Sequence, residues 1–179
     1  MAAMTTIPVR VRTPEDSIID ASTNTAPVKK YEFTGESKHF VGDIVLHRIR
    51  ALRDIPEIGV RAGDHGGWIE KEENLSHEGS CWVGGDAWVY GDAVVYENAY
   101  VRGDAWITEK AAVFGNAKVY GMAQISGRCW LFDETEVFGN SRVSGRSWVG
   151  GTTRLYGSVS VSGSAVLENG NHWFGEITR

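Results

Sequence analysis

Three histidines are the side chains best suited to proton chemistry in this chain, His65, His77 and His172. His65 lies in Gly63-Asp64-His65-Gly66-Gly67, where paired glycines would let a ligand approach closely, and Glu70, Glu73 or Glu78 could orient either of the first two imidazoles as a general base. That segment is not a phosphate loop, because it lacks the Lys-Ser/Thr continuation and a following helical pattern. The plainer reading makes His65 and His77 turn or capping residues, so the three stand as candidates and no catalytic residue is assigned. Cys81 and Cys129 lie forty-eight residues apart, both at small inward positions of the repeat described next. They read as buried thiols rather than a disulfide or metal ligands, and no metal site is expected.

The elements that must position these residues are set by a six-residue period. Sixteen consecutive repeats run from Cys81 to Glu176 in the register small–x–aliphatic–x–Gly–polar, as in Ala87-Trp88-Val89-Tyr90-Gly91-Asp92. The third position is Val, Ile or Leu from Val83 to Leu167, with Trp173 in the last repeat, and the fifth is Gly in twelve of sixteen. Alternate side chains of a strand face opposite ways, so positions one and three point in, and the glycine turns the corner with positive φ. Such a short period predicts an all-β, parallel β-helix solenoid. Three sides make one triangular coil, giving about five coils stacked at ~4.8 Å and a rod roughly 25 Å tall. No proline falls inside it, as a ladder that uses every backbone N–H requires.

Residues eighteen apart stack above one another, which sorts the outward positions by side. The first side carries Val94, Ala112, Trp130, Trp148 and Val166 beside Tyr96, Phe114 and Phe132, almost wholly apolar. Five large aromatics there would present on the order of 750–1,250 Å², more than a monomer ordinarily exposes. Val94, Tyr96, Phe114, Trp130, Phe132 and Trp148 are therefore the expected interface of a homo-oligomer, a trimer or a dimer. The alternative is that the N-terminal cap, or its N-terminal arm, folds over them. The second side sets Tyr100, Lys118, Glu136, Arg154 and His172 beside Arg102, Tyr120, Phe138, Tyr156 and Phe174. Its aromatic and Arg content suits a ligand or partner surface formed by Tyr100, Arg102, Tyr120, Phe138, Arg154, Tyr156 and Phe174. The third side begins with Trp88, Tyr90 and Trp106 and continues with Gln124, Arg142 and serines.

Three segments follow: 1–30 as a flexible N-terminal arm, 31–80 as a small β cap with a first irregular coil, and 81–179 as the β-helix. From Tyr31 to about Arg53 the alternation reads as a hairpin, and Ile69 and Leu75, six apart, as the first sides of the coil. A net charge of −5 over 179 residues, 42% of them hydrophobic, supplies no basic field, so direct nucleic-acid binding is not expected. No apolar span of membrane length occurs, and the expected localisation is cytoplasmic.

The motifs Leu46-His47-Arg48-Ile49-Arg50-Ala51-Leu52, Ala62-Gly63-Asp64-His65-Gly66-Gly67-Trp68-Ile69-Glu70 and Glu73-Asn74-Leu75-Ser76-His77-Glu78-Gly79, followed by Val-x-Gly-Asn/Asp-Ala hexads, resemble a group of phage and enterobacterial prophage hexapeptide-repeat proteins described as acyltransferases. The resemblance covers about residues 40–170. It implies a left-handed helix, a phage-encoded origin in a bacterial host, and an acyltransferase using coenzyme A, with a histidine at a subunit boundary as base. Fold does not establish function, and the coils lack the loop that shapes a substrate pocket in such enzymes. The leading expectation is a non-catalytic oligomeric binding or scaffold protein without cofactor, or an inhibitor of a host defence protein. A coenzyme A-dependent acyltransferase is the alternative, and a small-nucleotide sponge using aromatic stacking with Arg102 or Arg154 is the third.

Overall fold

The computed structural model describes residues 28–178, so most of the expected arm, residues 1–27, lies outside it. The described chain is all-β apart from two short 3-10 turns, Pro56–Ile58 and Glu72–Asn74. From Trp82 onward each hexad forms one two- or three-residue strand, and strands three hexads apart pair in parallel, for example Lys118 with Glu136 and Val119 with Val137. Three sheets result, of nine, six and five strands, one for each side of a triangular coil. The coils number about six rather than the five expected. The additional turn comes from Trp68 and Ile69, which pair with Trp88 and Val89, and from Leu75, which bridges to Val95. These first sides are offset by twenty residues instead of eighteen, because Ser76–Ser80 is a longer corner.

Ala87, Ala93, Ala99, Ala105, Ala111, Ala117 and Ala123 and the aliphatic column from Val83 to Leu155 are buried. Small groups at the first position let opposite walls of a narrow prism meet at van der Waals distance. In the later coils that column changes to Thr135, Ser141, Ser147 and Thr153, all buried. Thr135 Oγ1 donates to the Val149 carbonyl at 3.1 Å, Ser141 Oγ to Phe138 at 2.7 Å and Ser147 Oγ to Ser144 at 2.8 Å. At those three positions a strand or corner carbonyl lies within reach of the hydroxyl, whereas Thr153 Oγ1 has no hydrogen-bond partner among the described residues.

The cap forms from β1 (Tyr31–His39), β2 (Val45–Ala51) and β3 (His65–Ile69). β1 and β2 pair antiparallel, as the alternation predicts, and β2 pairs antiparallel with β3, whose other edge joins the third side in parallel. The hairpin thus prolongs one sheet past the end of the prism. Gly66 and Gly67 serve this closure rather than ligand access. A Cβ on Gly66 would stand 2.6 Å from both Ile49 Cγ1 and the Val83 carbonyl, and one on Gly67 would stand 2.6 Å from the Ala87 carbonyl.

The register departs from the expected sixteen unbroken repeats at the C-terminal end. Trp148 still pairs with Val166, but Arg154 pairs with Asn171, Leu155 with His172, and Val161 with Ile177. The corner at Gly170, with φ of +105°, closes one residue early, and a second residue is lost before the next strand, where Val161 meets Ile177. Holding the eighteen-residue register would push Trp173 into a column of Val, Ile and Leu; the slip puts His172 there instead. His172 therefore occupies an inward position, not the outward one its spacing suggested, and Trp173 turns out to solvent.

Candidate functional site

The three histidines are not assembled into one site. His65 is exposed in β3 opposite Arg50. His77 belongs to the first corner, where its Nδ1 accepts the Lys30 N–H at 3.1 Å and its ring stacks on Tyr31 at 4.3 Å. Burial is the main cause holding its pKa below the usual histidine value, with Lys29, Lys30 and Arg53 adding to it and Glu72 opposing. His172 lies in the last coil, at the opposite end of the rod. None of Glu70, Glu73 or Glu78 hydrogen-bonds an imidazole among the described residues; the Glu70 carboxylate accepts the Gly91 N–H at 2.6 Å instead. The geometry makes His77 a clamp between Lys30 and Tyr31.

Lys30, expected within a mobile arm, is 0% exposed. Its Nζ donates to the Glu78 carbonyl at 3.1 Å and meets Cys81 Sγ at 3.0 Å. Burial pushes the amine down and the Cys81 thiol up, with each partner partly opposing the other's shift. Both shifts weaken the charged forms relative to an exposed lysine and cysteine, and the Glu78 carbonyl and Cys81 Sγ supply the partners that the buried Nζ needs. Burial likewise pushes Cys129 up to about 12. Both cysteines are free and buried, as the spacing predicts.

On the first side the aromatics form two face-to-face stacks. Tyr96, Phe114 and Phe132 follow one another at 4.9 and 5.5 Å, and Trp130 and Trp148 lie 5.0 Å apart at 10°. Gly150 ends the first stack, since a Cβ there would meet the Phe132 ring at 2.3 Å. Stacked rings hide one another's faces, so the side exposes much less than the sum of its rings. Its large exposed apolar residues are Trp148 at 39% and Val166 at 55%. Among the described residues the cap hairpin does not cover this side; residues 1–27, the rest of the alternative cover, lie outside the described residues. The hairpin tip lands on the third, where Phe40 packs against Trp88, Tyr90 and Trp106 at 5.0, 5.7 and 5.8 Å.

The second side brings together most of its expected residues. Tyr120, Phe138 and Tyr156 stack at 4.8 and 5.3 Å, and the column continues to Trp173 at 6.2 Å. Phe174 was expected at that end; the register slip leaves it 82% exposed beyond the column. Arg102 lies 5.1 Å over Tyr120 and Arg154 lies 5.6 Å over Phe138. Glu136 receives Arg154 at 3.0 Å and Lys118 at 4.0 Å, so charges and rings alternate across one flat face. Tyr100 sits nearer the cap, half-buried, and packs against the core.

The corners carry a feature that composition does not reveal. Glu97, Glu109 and Asp133 occupy glycine positions at φ of 57°, 62° and 56°. Each carboxylate accepts the N–H of the residue one coil further on, Gly115 at 2.9 Å, Gly127 at 2.9 Å and Gly151 at 3.1 Å. One corner also repeats Ser126-Gly127-Arg128-Cys129-Trp130 as Ser144-Gly145-Arg146-Ser147-Trp148. The signal for it is identity at eighteen residues rather than six. Among the described residues no group of three or more His, Cys, Asp or Glu could hold a metal ion, and no helix is long and apolar enough to cross a membrane. Neither a protein-family model nor a curated protein matches the chain.

Proposed function

We propose that the protein is a non-catalytic β-solenoid scaffold that recognises a protein partner across its second side. The observation that carries this reading is the uninterrupted column Tyr120–Phe138–Tyr156–Trp173, flanked by Arg102, Lys118, Glu136 and Arg154; among the described residues the hairpin lies on another side, and the Arg53–Ile58 loop lines a cleft with this face only at Tyr100 and Lys118. Aromatic and Arg side chains held rigid before contact lose little entropy on binding, which is how compact hot spots gain affinity. A phage-encoded inhibitor working in the host cytoplasm is one such scaffold.

Nothing in the placement of His65, His77 or His172 favours the acyltransferase implied by resemblance. The discriminating experiment pairs a thermal melt with affinity capture. Acetyl-coenzyme A should leave the melting temperature unchanged, and a Phe138→Ser/Tyr156→Ser variant should keep the melting profile while losing a specific protein captured by the wild type from host extract. A stabilisation by acetyl-coenzyme A approaching ~2.7 kcal/mol, the value for a ligand at a hundred times its Kd, would reverse the assignment.

A further inference from the structure

The corner that carries the doubled Ser-Gly-Arg-x-Trp motif differs from the rest of the surface. Where the preceding coil bears Glu109, its carboxylate fills the place in front of the Gly127 N–H. At the next two coils the preceding residue is itself glycine, Gly127 before Gly145 and Gly145 before Gly163, so no side chain can supply that carboxylate. The chain shows at three other corners that an anion belongs there, and here the place is left to an outside group. Gly145 and Gly163 are both exposed, with φ of 77° and 71°.

Two cations flank the same two coils. Arg128 and Arg146 are exposed, stack eighteen residues apart, and have no ion-pair partner among the described residues. The other all-glycine corner, Gly85, Gly103, Gly121, Gly139 and Gly157, is followed by Asp86, Asp104, Met122, Asn140 and Ser158 and offers no such charge. Two residues past each arginine, just beyond the corner, the next strands begin with Trp130 and Trp148. Below Trp148 the column continues with Val166, too small to cover an indole, which leaves one aromatic face open.

The geometry points to a nucleotide site: a phosphate held by Arg128, Arg146 and the N–H groups of Gly145 and Gly163, with its base stacked on the open face of Trp148. Guanidinium groups and backbone N–H groups are the ordinary donors to phosphate, and an exposed indole is a sequence-tolerant platform for a base. This site is separate from the second-side face and does not depend on it. With a net charge of −5 the molecule offers no extended track for nucleic acid, so the ligand spans two coils: a free nucleotide, or the end of a single strand.

The test uses the full chain and fluorescence anisotropy of a dye-labelled hexathymidylate, competed by ATP, ribose 5-phosphate and inorganic phosphate. Saturable binding displaced by ATP but far more weakly by ribose 5-phosphate is expected; equal potency of ATP and unlabelled oligonucleotide identifies a mononucleotide site, and a stronger oligonucleotide identifies a strand end. An Arg128→Ala/Arg146→Ala variant should bind at least ~10-fold more weakly. Trp148→Leu should lose about as much while Trp148→Phe retains most of the affinity, with melting temperatures showing that the variants are folded. No binding up to about 1 mM, binding indifferent to the arginine pair, or ribose 5-phosphate and phosphate competing as well as ATP would each overturn the assignment.

Discussion

His77 gives the cap a dependence on pH. Its folded pKa lies below the usual 6.5, chiefly through burial, so the unfolded chain holds more protons in the window just below that value. Stability then rises with pH through the window and is lost as pH falls beneath about 6.5. Glu72, held low mainly by its hydrogen bond from Lys29, acts in the same direction but in a lower window, losing its contribution only on acidification below its usual 4.5. The melting temperature should therefore drop between pH 7.5 and 5.5, and His77→Gln, which keeps an acceptor without titrating, should flatten that drop. A dependence that persists unchanged in the variant would place it elsewhere. Burial also makes both cysteines poor nucleophiles. A thiol reagent should label neither in the native protein at pH 8 and both after denaturation, read by mass spectrometry. The sequence shows the thiols' burial, because Cys81 and Cys129 occupy the alanine column. It does not show Lys30 beside one of them, because a lysine flanked by polar residues reads as solvated until the chain's end turns over the prism.

At the scale of strands and corners, the hexad pattern made the solenoid legible: a small residue, an aliphatic one and a glycine recur at the spacing that folds them. Val119 lies in the aliphatic column with no exposed surface, and Val119→Asp should cost several kcal/mol and abolish cooperative unfolding, since a lone carboxylate there has no partner. Gly150→Ala tests the stack instead. Its Cβ would press into Phe132, and the variant should be less stable by about 1–3 kcal/mol in a urea titration while keeping the coils. What the pattern could not reveal are the contacts that cross it. The landing of Phe40 on the third side depends on how β1 and β2 extend a sheet, and the one-residue slip before His172 depends on what a bulky Trp173 would have met inside. Face-to-face stacking was also hidden, so the first side looked far more exposed in sequence than it is.

Across the whole molecule, neighbouring coils touch and distant ones do not, so stability need not be uniform along the rod. The N-terminal end is closed by Tyr31, Lys30, Leu46, Ile49 and Trp82, all buried. In the last described coil Leu167, His172 and Ile177 are only partly buried, and Trp173 is 60% exposed. Amide hydrogen exchange should accordingly be fastest in Val166–Thr178 and slowest in the alanine-rich coils around Val101 to Ile125; a uniform rate would show that the rod opens as one unit.

The eighteen-residue offset also determines how such a chain can change length. Inserting a whole turn returns every later residue to its former side, with each carboxylate still over a corner and each ring still over a ring. Inserting a single hexad moves every later residue one side around the prism, mixing the partner face, the stacked tryptophans and the hairpin's seat. Growth by thirds is therefore closed to this architecture, while growth by turns preserves its surfaces.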